Sequence, residues 1–522
     1  MKKYIGALLA LALLGGCAAL PGETPDEPLE PTPASSPTTP DSSADDDFTL
    51  VWEPDDTLSP FSCRTTQNET LVPLLYESLF TLDNSFSPQP LLCESWSSSD
   101  GMNWSFTLLP GIRAHDGTTL TADDAVYSLL RAKSTKWSTR FRTLSTASAT
   151  GNYTFSVTLT RANTAFPALL DVPIVKNGEL LENGLPAGTG PYVLDTGGEE
   201  PVLRAFPGYR AFSSLPAETL HLTHLPRQEL TKAFLLREVD LLCEDPLSEG
   251  ASEIRGGHEL RRIATPILQY IGFNLERSAF ADASVRRAFA LAVDRADIAD
   301  NILEGAATAS PLILPRALYL YDETWEPGTD GSARAMSLEL LELGFRDDDA
   351  DGFLERPLDE GGYGDIRVDF IVNEENACKA AAAGAIADAV RATGIDITLR
   401  VLPWDEYIFA LESGDFDMYY AETRLTPDLD LTTLLDTDGL LNYGAFSDER
   451  VDSLLADYRN AADDDARQRA AGLLCRFVSE QAPIVPVLYR DWYVHTQRGA
   501  VAGLEPSVSG VFRNIETWSF AF

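Results

Sequence analysis

LLYESLFTLDNSFSPQPLLCESWSSSDGMNWSFTLLPGIRAHDGTTLTADDAVYSLLRA, residues 74–132, carries the local signals from which the rest of the chain is read. Within it residues 104–110 (WSFTLLP) alternate apolar and polar side chains, the period of a half-buried strand. Asp116-Gly117 supplies a bend. His115 therefore reads as a turn residue ahead of a helix, not as a catalytic base. Residues 120–124 (LTADD) open that helix. Thr121 caps it, and Asp123 and Asp124 favour the positive end of its dipole.

The same alternation of strands and helices extends in both directions. Residues 47–52 (DFTLVW) and 153–160 (YTFSVTLT) read as strands, and 270–275 (YIGFNL) as a buried apolar segment. Residues 285–303 have helical period through Phe289, Val293, Ile298 and Ile302. Residues 377–393 form an Ala-rich helix that Gly394 ends, and the strand IDITLRVLP follows. Residues 451–458 and 464–481 are two more helices. This mixture predicts α/β domains.

Before the folded body lies a different kind of sequence. Lys2 and Lys3 precede a short apolar run, residues 5–14, well under the roughly 20 residues of a bilayer span. It has the form of a secretory signal. Leu14-Gly15-Gly16-Cys17 resembles a bacterial lipobox, in which the thiol takes a lipid and the Cys becomes the mature N-terminus. Residues 17–46, rich in Pro, Ser, Thr and acids, cannot bury enough surface to offset their ordering entropy. They read as a tether. The folded part is expected outside the membrane and anchored to it through Cys17.

Roughly 475 residues follow the tether, enough for two or three domains. A formal charge of −40 argues against nucleic acid or an anionic membrane surface as a direct partner. Apart from Cys17, the cysteines are Cys63, Cys93, Cys243, Cys378 and Cys475. Their odd number and wide scatter fit neither a disulfide scaffold nor a zinc site; a Cys63–Cys93 bridge is left open.

Five stretches, in order, resemble the family 5 extracellular solute-binding proteins, the peptide, dipeptide and nickel receptors of ABC importers. The first is residues 74–132, with Tyr76-Glu77-Ser78-Leu79, Glu94-Ser95-Trp96, His115-Asp116-Gly117 and Thr121-Ala122-Asp123-Asp124. The others are GTGPY (188–192), YIGFNL with VRRAFALAVDRADI (285–298), LPWDEYIFALESGDFDM (402–418) and APIVPVLYR (482–490). The resemblance implies a bilobed, periplasmic-binding-protein-like α/β fold with a ligand cleft between the lobes. The first lobe would span 47–266, with an extra subdomain near 76–188. The second would span 267–489, and 490–522 would return to the first. Closure would bury the ligand and give the membrane partner a shape to sense.

The resemblance also directs attention to the second lobe for ligand contacts. Its matching Trp commonly faces the cleft, which selects Trp404 and, with it, Tyr407. In related peptide receptors an Asp in the segment after Asp417 pairs with the ligand's N-terminal amine. Here the equivalent falls near Thr423, so Tyr420, Glu422, Asp428 and Asp430 come under consideration. Arg424 can hold a carboxylate in a bidentate fork, or it is tied to Glu422 or Asp428 in a structural ion pair. Phe273, Asn274 and Tyr443 complete the candidates, since aromatic walls with few fixed polar groups suit a small-ligand pocket.

Other motifs read as structure. His221 and His224 fall on opposite faces of a strand. Asp347, Asp349, Asp351 and Gly352 mimic the start of an EF-hand loop, but position twelve is Leu358 where Glu is required, so a solvated turn is expected. No nucleophile, P-loop, metalloprotease or dinucleotide signature is present, and no cofactor or metal is expected. The reading is a monomeric lipoprotein receptor, not an enzyme, that delivers a short peptide or peptide-like solute to a permease and ATPase complex. A hydrolase on this fold would instead show turnover. A sensor or adhesin would lack an importer.

Overall fold

Two long antiparallel strands, His258–Phe273 and Ile484–Gln497, cross the middle of the fold. The structure, a computed structural model, describes residues 48–521 except 249, 252–253, 278, 328–330 and 359. All of these belong to the unit Asp47–Phe522. The signal segment, Cys17 and the tether lie outside the described residues. Among the described residues no helix is long and apolar enough to cross a membrane.

The central sheet runs in the order Asp396–Leu402, Arg367–Asn373, Met418–Arg424, His258–Phe273, Ile484–Gln497, Leu241–Glu244, Phe48–Val51, Thr219–Thr223, Val202–Ala205 and Tyr192–Asp195. The two crossing strands thus link a parallel sheet in the second lobe to a mixed sheet in the first. Their pairing slips between Ala264 and Leu268. Pro266, inside the slip, has no N–H to give the ladder. Thr265 repairs part of the loss: its hydroxyl donates to Arg490 O over 2.7 Å and accepts from Ile267 N over 3.2 Å. A bulge of this kind bends a strand locally, and it lies where the lobes meet.

Apart from the central sheet, Cys93–Ser98, Asn103–Leu108, Thr154–Leu159 and Leu144–Ala149 form a four-stranded antiparallel sheet, within the stretch where a subdomain is expected. Its alternation holds: Trp104, Phe106 and Leu108 are buried, and Phe106 stacks on Phe155 at 5.1 Å. Helix Ala122–Ala132 packs on it. At its start, Thr121 N and Oγ1 both donate to Asp124 Oδ2 at 2.8 Å, and Lys176 binds the same carboxylate at 2.7 Å.

The GTGPY stretch seals this lobe against helix Thr66–Leu75. A Cβ on Gly190 would come within 2.4 Å of Leu75 C, so only glycine fits. His115 fastens the turn, its backbone N–H donating to Gly188 O at 2.9 Å and its Nε2 lying 3.1 Å from Gly190 O. Burial lowers its pKa to about 4. The C-terminal tail packs into the same core through Val501, Phe512, Ile515 and Trp518. Phe520 stacks on Phe48 at 4.2 Å.

In the second lobe, strands Arg367–Asn373 and Asp396–Leu402 are parallel, and helix Ala377–Arg391 joins them. Gly394, at φ +94°, makes the left-handed turn out of that helix. Helix Trp404–Ser413 leads to Met418–Arg424, also parallel to Arg367–Asn373.

One sequence expectation changes, and two readings are completed. Residues 285–303 are not one helix but Ala283–Ala290, Arg295–Asp297 and a π-turn at Ile298–Ile302. Asp294 starts a new segment, its carboxylate accepting from Asp297 N at 2.9 Å. YIGFNL is buried from Tyr270 to Asn274, as expected, and its first residues are the end of a 16-residue strand. Cys63 and Cys93 are free thiols, both buried.

Candidate functional site

The bulge at Thr265–Pro266 sits beside a row of polar side chains on one face of the central sheet. Glu422 and Arg424 are two apart on strand Met418–Arg424, so they share a face. Arg490 and Trp492 are likewise two apart on Ile484–Gln497. Arg490, largely buried, donates from Nη1 to Glu422 Oε1 and Oε2 at 3.0 and 3.1 Å, and its Nη2 binds Asp245. Gln269 donates to Glu422 Oε2 at 2.8 Å, and Tyr420 OH donates to Gln269 Oε1 at 2.8 Å. This network ties Glu422 to Arg490, and among the described residues no hydrogen bond or ion pair joins Glu422 to Arg424.

Arg424 therefore faces a cavity of about 380 Å³ without a carboxylate of its own. Among the described residues it makes no ion pair; its guanidinium lies 5.5 Å from the Trp492 ring, a cation–π contact. Burial, then Arg140 and Arg490, lower its pKa. The other two cations of the cavity are matched: Lys136 pairs with Glu69 at 2.6 Å, and Arg140 with Asp171. The lining thus has one uncompensated positive charge. Its residues come from both lobes, including Thr70 and Lys136 from the first and Arg424 and Pro427 from the second. A smaller cavity of about 170 Å³ shares Thr70, Cys243 and Trp492 with it.

A further cavity of about 250 Å³ lies between the subdomain and the second lobe, and Phe86 and Pro427 line both it and the Arg424 cavity. Polar contacts cross beside it. Asn163 Nδ2 donates to Asp428 Oδ2 at 2.7 Å. Arg161 pairs with Asp430 at 3.1 Å. Thr164 N donates to Arg459 O at 2.8 Å, and Arg467 Nη2 donates to Thr164 Oγ1 at 2.6 Å.

The other sequence-selected residues have different surroundings. Trp404 is half exposed, its ring 6.0 Å from Tyr407, and its backbone N–H donates to Glu375 Oε1 at 2.6 Å. It does not line the Arg424 cavity. Tyr407 is buried and donates to Tyr420 O at 2.9 Å; Tyr420 is itself fully buried. Tyr443 packs edge-on against Tyr419 at 6.1 Å. Asp428 lines the second cavity, and burial, then Asp430, raises its pKa.

Phe273 and Asn274 stand at the far end of their strand from Arg424. Arg424 pairs in register with Ile267, and six residues of strand put Phe273 about 20 Å beyond that point. Phe273 packs against Phe280 at 5.0 Å. Asn274 Nδ2 donates to Gly414 O and Phe416 O, both at 3.1 Å, which is turn architecture. Sequence reasoning missed Trp492, Lys136, Arg140 and Asn163. Only Trp492 had a legible signal, the two-residue spacing from Arg490.

Asp347, Asp349, Asp351 and Glu355 bring carboxylate oxygens within 4.8 Å of one another. Glu355, the ninth position of that loop, supplies the fourth acid. The loop's own amides already serve it: Asp347 accepts from Asp351 N and Gly352 N at 3.1 Å, and Glu355 from Asp348 N at 2.6 Å. His224 lies 3.6 Å from Glu53, an interaction apart from any shared metal with His221.

Two lobes joined by crossing strands, with a charged cavity between them, define a cleft-type solute receptor. The model of the bacterial extracellular solute-binding proteins, family 5, matches residues 87–435, and the chain belongs to that family. It is 27% identical over 478 residues to the Escherichia coli protein named "Probable deoxycholate-binding periplasmic protein YgiS", covering 83% of this chain and 86% of that one. It is 25% identical over 307 residues to the glutathione-binding protein GsiB of Escherichia coli, covering 55% of this chain and 59% of the relative. Among solved structures, the oligopeptide-binding protein AppA of Bacillus subtilis, in complex with a nonapeptide, superposes with TM-score 0.62 at 18% identity, over 91% of this chain and 99% of that one. A nickel ABC transporter protein of Bacillus halodurans gives TM-score 0.73 at 18% identity, over 91% and 98%. These structures share the bilobed fold.

Proposed function

We propose that this protein is the lipid-anchored receptor of an ABC importer and that its cleft captures a small carboxylate-bearing solute, a short peptide or peptide-like compound, for delivery to the permease. One observation carries the choice of ligand: Arg424 has no ion pair among the described residues and faces the interlobe cavity. A planar guanidinium in that position suits a carboxylate in a two-point fork. Deoxycholate and glutathione, which the relatives' names give, both carry carboxylates at neutral pH. Peptides do as well. The anchor rests on Cys17 and the lipobox, and the lobes rest on the boundaries read above.

Mass spectrometry of small molecules co-purifying with the protein tests the ligand class. A carboxylate-bearing compound released on denaturation is expected; a purely cationic or metal-only load would overturn the assignment. Cys17→Ser should move the protein out of the membrane fraction and abolish lipid labelling. Unchanged labelling would remove the anchor.

A further inference from the structure

Among the described residues, five charged side chains line the Arg424 cavity: Glu69, Lys136, Arg140, Asp171 and Arg424. Two pairs cancel, Lys136 with Glu69 and Arg140 with Asp171, which leaves one positive charge. Cys243, also on the wall, adds none, since burial pushes its thiol up to about 12. Both carboxylates of the wall thus already have a cation. The acids nearby are engaged as well: Glu422 and Asp245 by Arg490, Asp428 by Asn163, and Asp430 by Arg161. An ammonium entering this space meets only carboxylates that are already paired, whereas an anion meets Arg424.

The uncharged polar groups add to this. Two lining residues carry a buried polar atom without a partner, Trp492 Nε1 and Ser507 Oγ. An indole N–H can only donate, and a guanidinium has no acceptor either. The Trp492 ring lies 5.5 Å from the Arg424 guanidinium, so the two donors stand close together. The turn at Ser507 is closed by its backbone, Ser507 N donating to Gly510 O at 3.1 Å and Gly510 N to Ser507 O at 3.0 Å, which leaves the hydroxyl free of that task. What the wall lacks is acceptors and one negative charge.

We propose that the ligand is a net monoanion without a free ammonium, an N-acylated amino acid or peptide or another amine-free acid, with its carboxylate at Arg424 and further acceptor oxygens toward Trp492. The inference rests on the carboxylate reading of Arg424 and goes further by excluding the zwitterionic peptide. A monoanion brings the charge of the cavity to zero. A zwitterion leaves it at one positive charge and sets a second cation in the space that holds Arg424, a like-charge arrangement that costs affinity.

N-acetyl-Gly-Gly and Gly-Gly-Gly test this directly, because they differ only in the terminal ammonium. In calorimetry the acetyl compound should bind at least about tenfold more tightly. Thr139→Glu adds a carboxylate at an exposed position of the wall and should shrink that ratio toward one. Trp492→Phe keeps an aromatic ring, loses the N–H, and should weaken acetyl-Gly-Gly by about 3- to 10-fold; equal affinity would overturn the part assigned to the indole. Gly-Gly-Gly binding as tightly as the acetyl compound, or a ratio that Thr139→Glu leaves untouched, would overturn the amine-free ligand and leave the carboxylate site standing. Failure of the wild-type protein to bind either probe would overturn the carboxylate reading of Arg424 and this inference with it.

Discussion

The side-chain amide of Asn163 donates to the carboxylate of Asp428 over 2.7 Å, joining residues 265 apart in the chain and buried at both ends. It is the innermost of the contacts by which the loop after strand Thr154–Leu159 grips the second lobe. Asn163→Ala would leave a buried acceptor without its donor, at a cost of about 1–3 kcal/mol. Chemical denaturation should show that loss. A change within about 0.5 kcal/mol would mean that water replaces the amide without penalty.

Arg424→Ala should weaken binding of a carboxylate probe by about 10- to 100-fold. Thermal stability should stay within a few degrees, since no protein ion pair is broken. Arg424→Lys should recover only part of the affinity, because an ammonium lacks the planar fork. Calorimetry on the three proteins decides; equal affinities would place the ligand elsewhere.

Arg490 is the opposite case. Removing it leaves Glu422 and Asp245, both partly buried, without their shared cation, so Arg490→Ala should cost about 1–3 kcal/mol of stability. Urea midpoints would report this, and a near-neutral result would show that the network is open to solvent.

Asp491 sets one pH dependence. Burial raises its pKa from 3.8 to about 6, against a hydroxyl donated by Thr308 at 2.9 Å and the nearby charge of Arg262. A raised carboxyl pKa in the folded state means its contribution is full below pH 3.8 and is lost as pH climbs through 6. Asp491→Asn should therefore gain about 2–3 kcal/mol relative to wild type between pH 4 and pH 7. His115 slopes the other way. Its pKa falls from 6.5 to about 4, so its contribution is full above 6.5 and drains away as pH drops to 4. His115→Gln should flatten that acid limb, and parallel wild-type and mutant curves would remove the assignment.

Much of the fold was legible because its periods are local. Strand Thr154–Leu159, the cap at Thr121 and helix Asp464–Gln481 follow from spacing alone. The bent strand at Thr265–Pro266 was not, since a bulge depends on what the opposite strand does. The break after Ala290 was hidden by apolar residues that keep helical period while Asp294 restarts the chain. At the site, Arg424 was found by its charge in a telling segment. Whether it was paired depended on Arg490, a residue 66 positions away whose hold on Glu422 has no trace in sequence spacing. Asn163 was invisible for the same reason.

Arg424, the one unmatched cation among the described residues lining its cavity, is exposed there in a molecule of formal charge −40, and this has a kinetic consequence. An anionic solute is attracted only at the end of its path and repelled on the way in. Screening shortens the repulsion to about 8 Å at physiological ionic strength. Capture should therefore speed up as salt is added, the reverse of ordinary electrostatic steering, and stopped-flow traces across a salt series would display it directly.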